Sequence, residues 1–490
     1  MLLHARRGGV RVKLPSHKTK IVCTIGPASS SRRVLVEMIR NGMNVARLNL
    51  SHGTFGEHSV HIRNIRAAAA EADLPVTILI DLPGPKIRIG DLEREPLLLR
   101  KGDQITFTTE PVPGDAERIS VDFELFPELV SPGSTIYIND GFLQMQVDEV
   151  EGREVKGTVL VGGQLLSRKG INLVGGFLAV EALTERDLEC IAFGLEEGVD
   201  TFSISFIERP EDIRKAREYA ERLGHAIHVI AKIERREALG NIDDLLREAD
   251  GVMIARGDLG VQIPIEDVPT VQKQIIRKAN ILGKPVITAT QMLESMTDNI
   301  RPTRAEVTDV ANAILDGSDA VMLSEETSIG RYPAETVAMM AGIAQSIERQ
   351  RRSLASLCGL EEYFRSVPGR RGISISDVVS LTVIEAMDAL DIPFILTPTR
   401  SGTTPRQISR FKPDAWILAF SRKESTFYFL CFSYGVYPFL ILTEEEKWHG
   451  MIMQRVKDLG LVKTGDRVIF TEGVSPGAPV TDSMTILTVE

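Results

Sequence analysis

The sequence contains little cysteine and no long apolar run. Only four cysteines occur among 490 residues, at Cys23, Cys190, Cys358 and Cys431, and none forms a C-x-x-C pair. This spacing excludes a dense disulfide framework and fits a reducing compartment. No apolar run reaches the length of a membrane span, and the basic start lacks the apolar core of a signal peptide. We therefore expect a cytoplasmic protein without a membrane partner, and a loose N-terminal tail at residues 1–18.

Excess basic charge and the common nucleotide-binding motifs are also missing. The net charge is -10 and no long basic run is present, which argues against nucleic acid as a partner. The sequence has no G-x-x-x-x-G-K-[ST] motif and no G-x-G-x-x-G after a predicted strand. An anionic substrate would therefore have to be bound by a local cluster of cations.

Short apolar runs that end in polar or glycine residues recur along the first two thirds of the chain. Most are separated by helix-like segments, which is the pattern of a parallel sheet buried on both faces. Eight such units predict a closed (β/α)8 TIM barrel formed by residues 19–88 and 170–352, with its active site at the C-terminal rim. The runs are Thr19–Ile25, Asn44–Leu48, Val76–Ile80, Thr201–Phe206, His228–Ile233, Gly251–Ala255, Pro285–Thr288 and Ala320–Leu323.

The long gap between the third and fourth runs has a different pattern. Residues 89–169 contain alternating segments typical of strands, separated by turn signals such as Glu151-Gly152. A connection of this length is uncommon unless it is functional. We predict a small, β-barrel-like, all-β domain inserted in a rim loop, with the role of a lid over the site.

The end of the chain predicts a separate unit. Residues 353–372 are polar and basic and are interpreted as a linker. From residue 373 to 490 five apolar runs alternate with helical spacing, which predicts an open α/β domain. The runs are Pro393–Leu396, Ala415–Ala419, Pro438–Leu442, Asp466–Phe470 and Met484–Val489.

Three charged residues lie at the ends of two neighbouring barrel runs. Lys232 and Glu234 end the fifth run, and Asp258 follows the sixth. Because parallel strands end at the same rim, an ammonium would lie between two carboxylates, which together suit a hard divalent ion such as Mg²⁺. A buried ion pair without catalytic use explains these three residues equally well.

Further polar residues at the rim favour catalysis. Arg47, Lys86 and Arg88 follow the second and third runs, and Asp81 ends the third. Cationic side chains beside a divalent-metal site are typical of enzymes that catalyse phosphoryl transfer, because this reaction depends on positioning and charge neutralisation. The residues alone therefore predict a metal-dependent barrel enzyme that acts on a phosphorylated substrate.

The same residues lie in segments that resemble the pyruvate kinase family. The segments occur in the family's order from Thr19 to about Pro333, and they include the same inserted domain. They are TKIVCTIGPAS, GMNVARLNLSHG, DLPGPKIRIG, ARGDLG, ATQMLESM, RPTRAE and DVANAILDGSDAVMLSEET. The resemblance implies transfer of the phosphoryl group of phosphoenolpyruvate to ADP, giving pyruvate and ATP in the last step of glycolysis.

The resemblance also implies roles for individual residues. Lys232 resembles the lysine that stabilises the transition state and the enolate, and Glu234 and Asp258 resemble the ligands of Mg²⁺ or Mn²⁺. Thr290 and Ser324 are candidates for the proton path to the enolate. Contacts to phosphoenolpyruvate are implied for Arg47, Lys232, Gly257, Asp258 and Thr290, and contacts to the nucleotide phosphates for Asn49, Leu50, Ser51, His52, Arg88 and Lys169.

Several of these residues have a purely structural alternative. Arg47 and Arg88 would also fit salt bridges at the rim, and His52 would also fit a cap of the following helix. Thr290 would also fit an N-cap. Glu326 and Asp319 are interpreted as scaffold.

One segment departs from the potassium-dependent members of the family, which carry Thr-Lys-Gly-Pro-Glu after the aspartate. Here Asp81 is followed by Leu82-Pro83-Gly84-Pro85-Lys86. The Lys86 ammonium would repel a monovalent cation, so we expect activity without K⁺. Asn49, Ser51, Asp81 and Leu82 would remain as the pocket, with hydrogen bonds to Lys86. The alternative is that Lys86 points to solvent and K⁺ still binds.

The C-terminal unit contains a loop that resembles the effector loop of the family. Its hydroxyls and backbone N–H groups would suit a sugar phosphate or an AMP-like activator, and ordinary turn chemistry is the alternative. The residues are Thr397, Thr399, Ser401, Gly402, Thr403 and Thr404. The loop from Gly473 to Asp482 departs from the family's usual Gly-Thr-Thr-Asn ending. The resemblance also implies a homotetramer.

Two other functions remain compatible with these features. One is a different metal-dependent barrel enzyme of phosphoenolpyruvate or 2-oxo acid chemistry. The other is a catalytically silent metabolite sensor.

Overall fold

The computed structural model describes residues 12–139, 141–173, 181–354, 373–441, 448–473 and 481–490. Most of the predicted N-terminal tail, nearly all of the linker at 353–372 and most of the loop from Gly473 to Asp482 lie outside these residues. None of the helices in the described ranges is both long enough and apolar enough to cross a membrane.

The chain begins with three strands and two helices in alternation. Helix α2 starts at a capping box in which Thr54 and Glu57 exchange hydrogen bonds, and helix α1 ends at Gly42, whose φ is 126°. Such caps satisfy backbone groups that a helix end leaves unpaired. The elements are β1 (Lys20–Thr24), α1 (Arg32–Asn41), β2 (Met43–Asn49), α2 (Phe55–Ala72) and β3 (Thr77–Asp81).

A curled sheet then interrupts the barrel. Its seven strands follow the order β4-β12-β8-β9-β10-β6-β7, and an antiparallel bridge from Ile89 to Val121 joins its two edges. Joining the edges removes exposed strand edges. The strands of this sheet are β4 (Ile87–Arg88), β6 (Gln104–Thr108), β7 (Arg118–Ser120), β8 (Thr135–Ile138), β9 (Leu143–Glu151), β10 (Glu154–Val161) and β12 (Gly170–Leu173), with a 3-10 helix at Phe126–Leu129. Strands β5 (Leu97–Leu99) and β11 (Gly163–Leu165) pair in a separate two-stranded sheet.

The chain then completes the barrel. The strands in this part are β13 (Thr201–Ile204), β14 (His228–Ile233), β15 (Gly251–Ala255), β16 (Val286–Ala289) and β17 (Ala320–Leu323). The helices are α3 (Glu185–Glu196), α4 (Pro210–Arg222), α5 (Arg236–Gly240), α6 (Ile242–Glu248), α7 (Arg256–Gln262), α8 (Val268–Ile281), α9 (Arg304–Asp316), α10 (Glu325–Ser328) and α11 (Pro333–Leu354), with 3-10 helices at Ile265–Asp267 and Glu294–Thr297.

The eight parallel strands close in the order β1-β17-β16-β15-β14-β13-β3-β2, which confirms the predicted barrel. Strands β1, β3, β13, β15, β16 and β17 are buried along their whole length, as expected for strands covered on both faces. The observed strands lie within two residues of the predicted runs at each end. The shared direction of the strands brings their C-terminal ends to one rim.

The last part of the chain forms a five-stranded sheet in the order β20-β19-β18-β21-β22, whose final pair is antiparallel. The strands are β18 (Phe394–Pro398), β19 (Trp416–Ser421), β20 (Val436–Leu440), β21 (Arg467–Glu472) and β22 (Ser483–Thr488). The helices are α12 (Ile375–Leu390), α13 (Thr403–Ser409), α14 (Glu424–Phe429) and α15 (Trp448–Asp458), with a 3-10 helix at Leu430–Phe432.

This C-terminal unit closes the N-terminal end of the barrel, which we call the floor. Phe429 and Phe432 belong to the same buried cluster as the barrel-interior residues Val22 and Met253. The ring of Phe429 also stacks on His228, with the ring centroids 4.2 Å apart. The opposite end, the rim, is therefore the open end of the barrel.

Candidate functional site

A cavity of about 1560 Å³ lies between the rim and the inserted sheet. The insert contributes the wall around Tyr137 and Phe142, and Phe142 is 66% exposed. The structure brings eight of the predicted site residues to this cavity. They are Arg47, Asn49, His52, Lys86, Gly257, Asp258, Thr290 and Ser324.

Asp81, at the end of β3, is the centre of a buried ion cluster beside the cavity. It accepts hydrogen bonds from the Arg47 guanidinium, with Nε at 3.1 Å, and from the Ser203 hydroxyl at 2.5 Å, and it lies 3.4 Å from Lys232 Nζ. Burial raises the pKa of Asp81, but the charges of Lys232 and Arg47 outweigh burial and lower this pKa to about 2. Asp81 is therefore a stable anion that holds two cations at the rim.

Lys232 is buried at the end of β14 and joins three elements. Its Nζ lies 2.8 Å from Glu234 Oε1 and donates to the Ser205 hydroxyl at 2.7 Å. Burial lowers the pKa of Lys232, but the carboxylates of Asp81 and Glu234 raise it further, so that the net pKa lies above its usual value. The ammonium therefore stays charged at neutral pH. Sequence reasoning missed Ser205, because no local pattern distinguishes it from other strand-end serines.

Glu234 and Asp258 are the two carboxylates that suit a metal. Glu234 accepts the Phe206 N–H at 2.7 Å, and burial, followed by the charge of Asp258, raises the pKa of Glu234. Asp258 Oδ1 is buried without a hydrogen-bond partner, so it has a free coordination position. No group of three His, Cys, Asp or Glu within the described ranges is placed to hold a metal ion. Two carboxylate ligands fit a hard divalent ion that also takes oxygens from water and substrate.

Thr290 follows β16 and contacts the loop after β15. Its hydroxyl accepts the Gly257 N–H at 2.9 Å and donates to the Ala289 carbonyl at 2.7 Å. The N-cap alternative for Thr290 is therefore wrong. Thr290 and Gln291 have φ values of 66° and 53°, a backbone conformation that costs about 1–3 kcal/mol at each non-glycine residue. Such a turn persists only when its surroundings hold it.

Two buried charges hold this turn. Arg256 donates to the carbonyls of Ala289 and Thr290, and the buried Glu326 carboxylate accepts the N–H groups of Leu293 at 3.1 Å and Ser324 at 2.6 Å. Glu326 is thus scaffold, as expected. Arg256 was missed, although it lies within the Ala255–Gly260 segment, because its partners are more than thirty residues away in sequence.

The candidate nucleotide residues occupy two places. Asn49 and His52 line the cavity, and burial, followed by the positive charges of Arg88, Lys86 and Arg47, lowers the pKa of His52. Leu50 and Ser51 lie between Asn49 and His52, and Leu50 is buried. The cap of α2 is Thr54, so the interpretation of His52 as its cap is wrong.

Arg88 and Lys169 lie at the junction of the barrel and the insert. The Arg88 guanidinium donates to the Arg168 carbonyl at 3.0 Å, and the Lys169 carbonyl accepts the Ile89 N–H at 3.0 Å. Neither Arg88 nor Lys169 lines the cavity. No carboxylate lies within salt-bridge distance of the Arg88 guanidinium among the described residues, so the salt-bridge alternative applies to Arg47 and not to Arg88.

Lys86 is placed differently from the expectation. Its Nζ lies 4.0 Å from Asp258 Oδ1 and its side chain is 27% exposed. The predicted hydrogen bonds to Asn49, Ser51 and Asp81 are absent from the described part of the chain. The reason is that these groups have other partners: Asp81 binds Arg47, Ser203 and Lys232, and the Asn49 side chain accepts the Ser51 N–H at 3.1 Å.

The candidate effector loop lies between β18 and α13. The Thr399 hydroxyl accepts the Gly402 N–H at 2.9 Å, and the hydroxyls of Ser401 and Thr403 lie 2.9 Å apart. The hydroxyl of Thr404 contacts that of Thr481. Thr397 is fully buried and donates to the Leu418 carbonyl, so its hydroxyl is not available to a ligand.

Comparison with known proteins agrees with this arrangement. The family model described as "Pyruvate kinase, barrel domain" matches residues 16–337, and the model described as "Pyruvate kinase, alpha/beta domain" matches residues 377–487. The chain is 50% identical over 479 residues to a pyruvate kinase of Thermococcus litoralis, with 98% of this chain and 100% of the relative covered. It is 40% identical over 474 residues to a pyruvate kinase of Thermotoga maritima, with 96% and 99% covered. A pyruvate kinase of Geobacillus stearothermophilus is 43% identical over 470 residues, with 94% and 78% covered. The chain therefore belongs to the pyruvate kinase family of phosphotransferases.

Proposed function

We propose that this chain transfers the phosphoryl group of phosphoenolpyruvate to ADP in the presence of Mg²⁺ or Mn²⁺, and that pyruvate and ATP are the products. One observation carries the proposal. The Lys232 ammonium lies between two carboxylates, Asp81 and Glu234, beside a cavity in which Asp258 keeps a free carboxylate oxygen. Charge neutralisation and positioning of this kind are the main requirements of phosphoryl transfer.

In this proposal Glu234 and Asp258 hold the divalent ion at the rim. When bound there, the ion would supply positive charge that offsets the negative charge of the substrate. Arg47 and Lys232 bind the phosphoryl oxygens, because both cations are already fixed by Asp81 at the edge of the cavity. The Gly257 backbone and Thr290 contact the remaining oxygens of phosphoenolpyruvate.

Transfer of the phosphoryl group to ADP leaves an enolate, which becomes pyruvate when its methylene carbon gains a proton. Lys232 stabilises the enolate oxygen, since the raised pKa of Lys232 keeps its ammonium charged. We propose that a water molecule held by Thr290 and Ser324 delivers the proton, because both hydroxyl-bearing residues line the cavity. The nucleotide phosphates lie toward Asn49, Leu50, Ser51, His52, Arg88 and Lys169.

We also propose that the activity needs no K⁺. The Lys86 ammonium contributes positive charge 4.0 Å from Asp258 Oδ1, within the same cavity. Asp81, the carboxylate that would face a monovalent ion, is already neutralised by Arg47 and Lys232. A further cation at this position would therefore gain little attraction.

Control of the enzyme is proposed to act through the C-terminal unit. The loop at Thr399–Thr404 exposes the hydroxyls of Ser401 and Thr403, which would bind the phosphate of a sugar phosphate or AMP-like effector. We propose a homotetramer as the assembly that such control would use. We also propose a cytoplasmic location, because phosphoenolpyruvate and ADP are cytoplasmic metabolites.

The proposal is tested by measuring pyruvate formation from phosphoenolpyruvate with and without ADP, Mg²⁺ and K⁺. We expect turnover that requires ADP and Mg²⁺ and is equal with and without K⁺. The Asp258→Asn variant should lose this turnover. The matched control Asp267→Asn, at an exposed position shortly after α7, should keep it. Turnover only with K⁺ would refute the role of Lys86. Turnover without ADP would favour a different barrel chemistry, and effector binding without any turnover would favour a sensor.

A further inference from the structure

Arg256 is the first residue of α7, directly after β15, and its side chain is 13% exposed. Its guanidinium donates to the carbonyl oxygens of Ala289 at 3.1 Å and Thr290 at 2.6 Å, and it pairs with Asp309 on α9 at 2.8 Å. One side chain thus joins the start of α7 and the loop after the neighbouring strand β16 to helix α9 of the outer layer.

The loop after β16, whose carbonyls accept these hydrogen bonds, needs such contacts to keep its conformation. Thr290 and Gln291 both adopt positive φ values, which is disfavoured for a β-branched residue and for glutamine. The loop is held on its other side by Glu326, which accepts the Leu293 N–H. A cation therefore binds the carbonyls at the start of the loop, and an anion binds an N–H at its end.

The Thr290 hydroxyl is fixed by this arrangement. It accepts the N–H of Gly257, the residue that follows Arg256, at 2.9 Å. Arg256 and Thr290 therefore form a closed set of contacts in which the start of α7 and the loop after β16 are joined by a guanidinium on one side and by a hydroxyl on the other. Asp258, the next residue, lies in the same first turn of α7.

We propose that Arg256, held in place by Asp309, is a positioning residue that fixes the Thr290 hydroxyl where it can hold the water that protonates the enolate. This inference rests on the proposed pyruvate kinase reaction and assigns a task to a residue outside the set that contacts substrate. Arginine suits the task because its planar fork of donors can reach two carbonyls and a carboxylate at once. A lysine at this position would keep the charge but could not make all three contacts.

The test is a double-mutant cycle with Arg256→Lys and Thr290→Ala. We measure kcat for pyruvate formation and, separately, the exchange of pyruvate methyl protons with deuterated water in the presence of Mg²⁺ and ATP. Each single variant should lower both rates about 10- to 100-fold, because misplacement of a reacting group by about 1 Å has effects of this size. The KM for ADP should stay unchanged.

The comparison of the double variant with the two single variants tests whether Arg256 acts through Thr290. If Arg256 acts through Thr290, the double variant should be no slower than Thr290→Ala alone, whereas independent effects would multiply. A product of the two single effects, or an Arg256→Lys variant with normal proton exchange, would overturn the inference. A wild-type enzyme without turnover would instead overturn the proposed function.

Two further variants keep the test interpretable. Arg277→Lys makes the same change at an exposed position on α8 and should leave both rates unchanged. If Arg256→Lys does not fold, Asp309→Asn replaces it in the cycle, since it weakens the anchor of Arg256 without removing the guanidinium. Asp309→Asn should also lower the rate of proton exchange. Equal exchange rates in Asp309→Asn and wild type would refute the role of Asp309 in anchoring Arg256.

Discussion

At the rim of the barrel Asp258 keeps a buried carboxylate oxygen without a hydrogen-bond partner, whereas at the floor Asp319 is fully engaged. Asp319 accepts the N–H groups of Val286 at 3.1 Å and Tyr434 at 3.0 Å and pairs with Lys412 Nζ at 2.7 Å. The two aspartates follow and precede strands of the same barrel. The Asp319 carboxylate is thus satisfied within the protein, and the Asp258 carboxylate at the rim remains available to a ligand.

The neighbouring groups extend this contrast. At the floor, Lys20 donates to the Val436 carbonyl at 2.7 Å, and Phe429 and Phe432 fill the end of the barrel. At the rim, the corresponding space is a cavity of about 1560 Å³. One sheet therefore supports stability at the floor and chemistry at the rim. Substitutions at the floor should change mainly the free energy of unfolding, and substitutions at the rim should change kcat or ligand affinity.

The largest effect is expected at the floor. Lys412→Met removes the buried partner of Asp319 and should lower the free energy of unfolding by about 3–5 kcal/mol, because a buried carboxylate is left unpaired. The kcat of the folded fraction should stay within about twofold of wild type, since Lys412 lies at the opposite end from the cavity. Urea unfolding and steady-state kinetics measure the two quantities. Lys463→Met, at an exposed position, is the control, and a large fall in kcat would contradict the division of roles.

The same substitution at the rim should lower kcat strongly, in contrast to Lys412→Met at the floor. Lys232→Met removes the cation beside the transferred group and should lower kcat about 10²- to 10³-fold, as for the loss of one preorganised electrostatic contact. Steady-state kinetics with phosphoenolpyruvate and ADP tests this, with Lys463→Met again as the control. A variant that keeps more than about a tenth of the wild-type kcat would exclude Lys232 from the chemistry.

The floor should also respond to alkaline pH. Burial lowers the pKa of Lys412 to about 8, against about 10.4 for an unfolded lysine. Between these values the unfolded chain binds more protons than the folded chain, so this group makes the wild type more stable as pH rises through that window. The gap in unfolding free energy between wild type and Lys412→Met should therefore widen from about pH 8 to about pH 10, by at most about 1.4 kcal/mol per pH unit. A constant gap would contradict the lowered pKa.

At the rim, Asp258→Asn should separate function from stability. The apparent affinity for Mg²⁺ should fall by at least about tenfold, or about 1.4 kcal/mol. The unfolding temperature should stay equal or rise, because the buried Oδ1 that is lost has no hydrogen-bond partner in the protein. Metal titration and thermal unfolding of the same preparation measure both effects. A large loss of thermal stability would show that Asp258 has a structural role.

The smallest effect is expected for the floor packing. Phe432 is fully buried with the barrel interior, and Phe432→Leu keeps an apolar side chain of smaller volume. The free energy of unfolding should fall by about 1 kcal/mol, and kcat should be unchanged. Thermal unfolding and kinetics test this, and a change in KM for phosphoenolpyruvate would mean that floor and rim are coupled.

The rim could be predicted from sequence because it follows from strand ends. His228–Ile233 and Gly251–Ala255 are continuous apolar runs with the observed bounds, so the side chains that follow them had to share one rim. Lys232, Glu234 and Asp258 could therefore be grouped before the structure was considered.

The floor and the supports of the rim could not be predicted in this way. Phe429 and Phe432 lie in a sequence segment that is equally compatible with the core of their own unit, and only tertiary packing places them under the barrel. No sequence pattern predicts the positive φ values of Thr290 and Gln291. The contacts of Arg256 with this turn could therefore not be predicted. Lys86 was predicted to contact Asp81, but Asp81 has nearer partners on other strands.

The two ends of the insert's sheet lie side by side. Strands β4 and β12 pair antiparallel, with Arg88 opposite Gly170 and Ile87 opposite Ile171. Antiparallel partners lie about 5 Å apart, so the chain enters the insert's sheet and leaves it at almost the same place. A turn of a few residues would bridge that gap at little cost in loop-closure entropy. We therefore expect the segment between Arg88 and Gly170 to be exchangeable, so that grafting another domain at this junction would change the cover of the cavity without altering the strands that carry the charged residues.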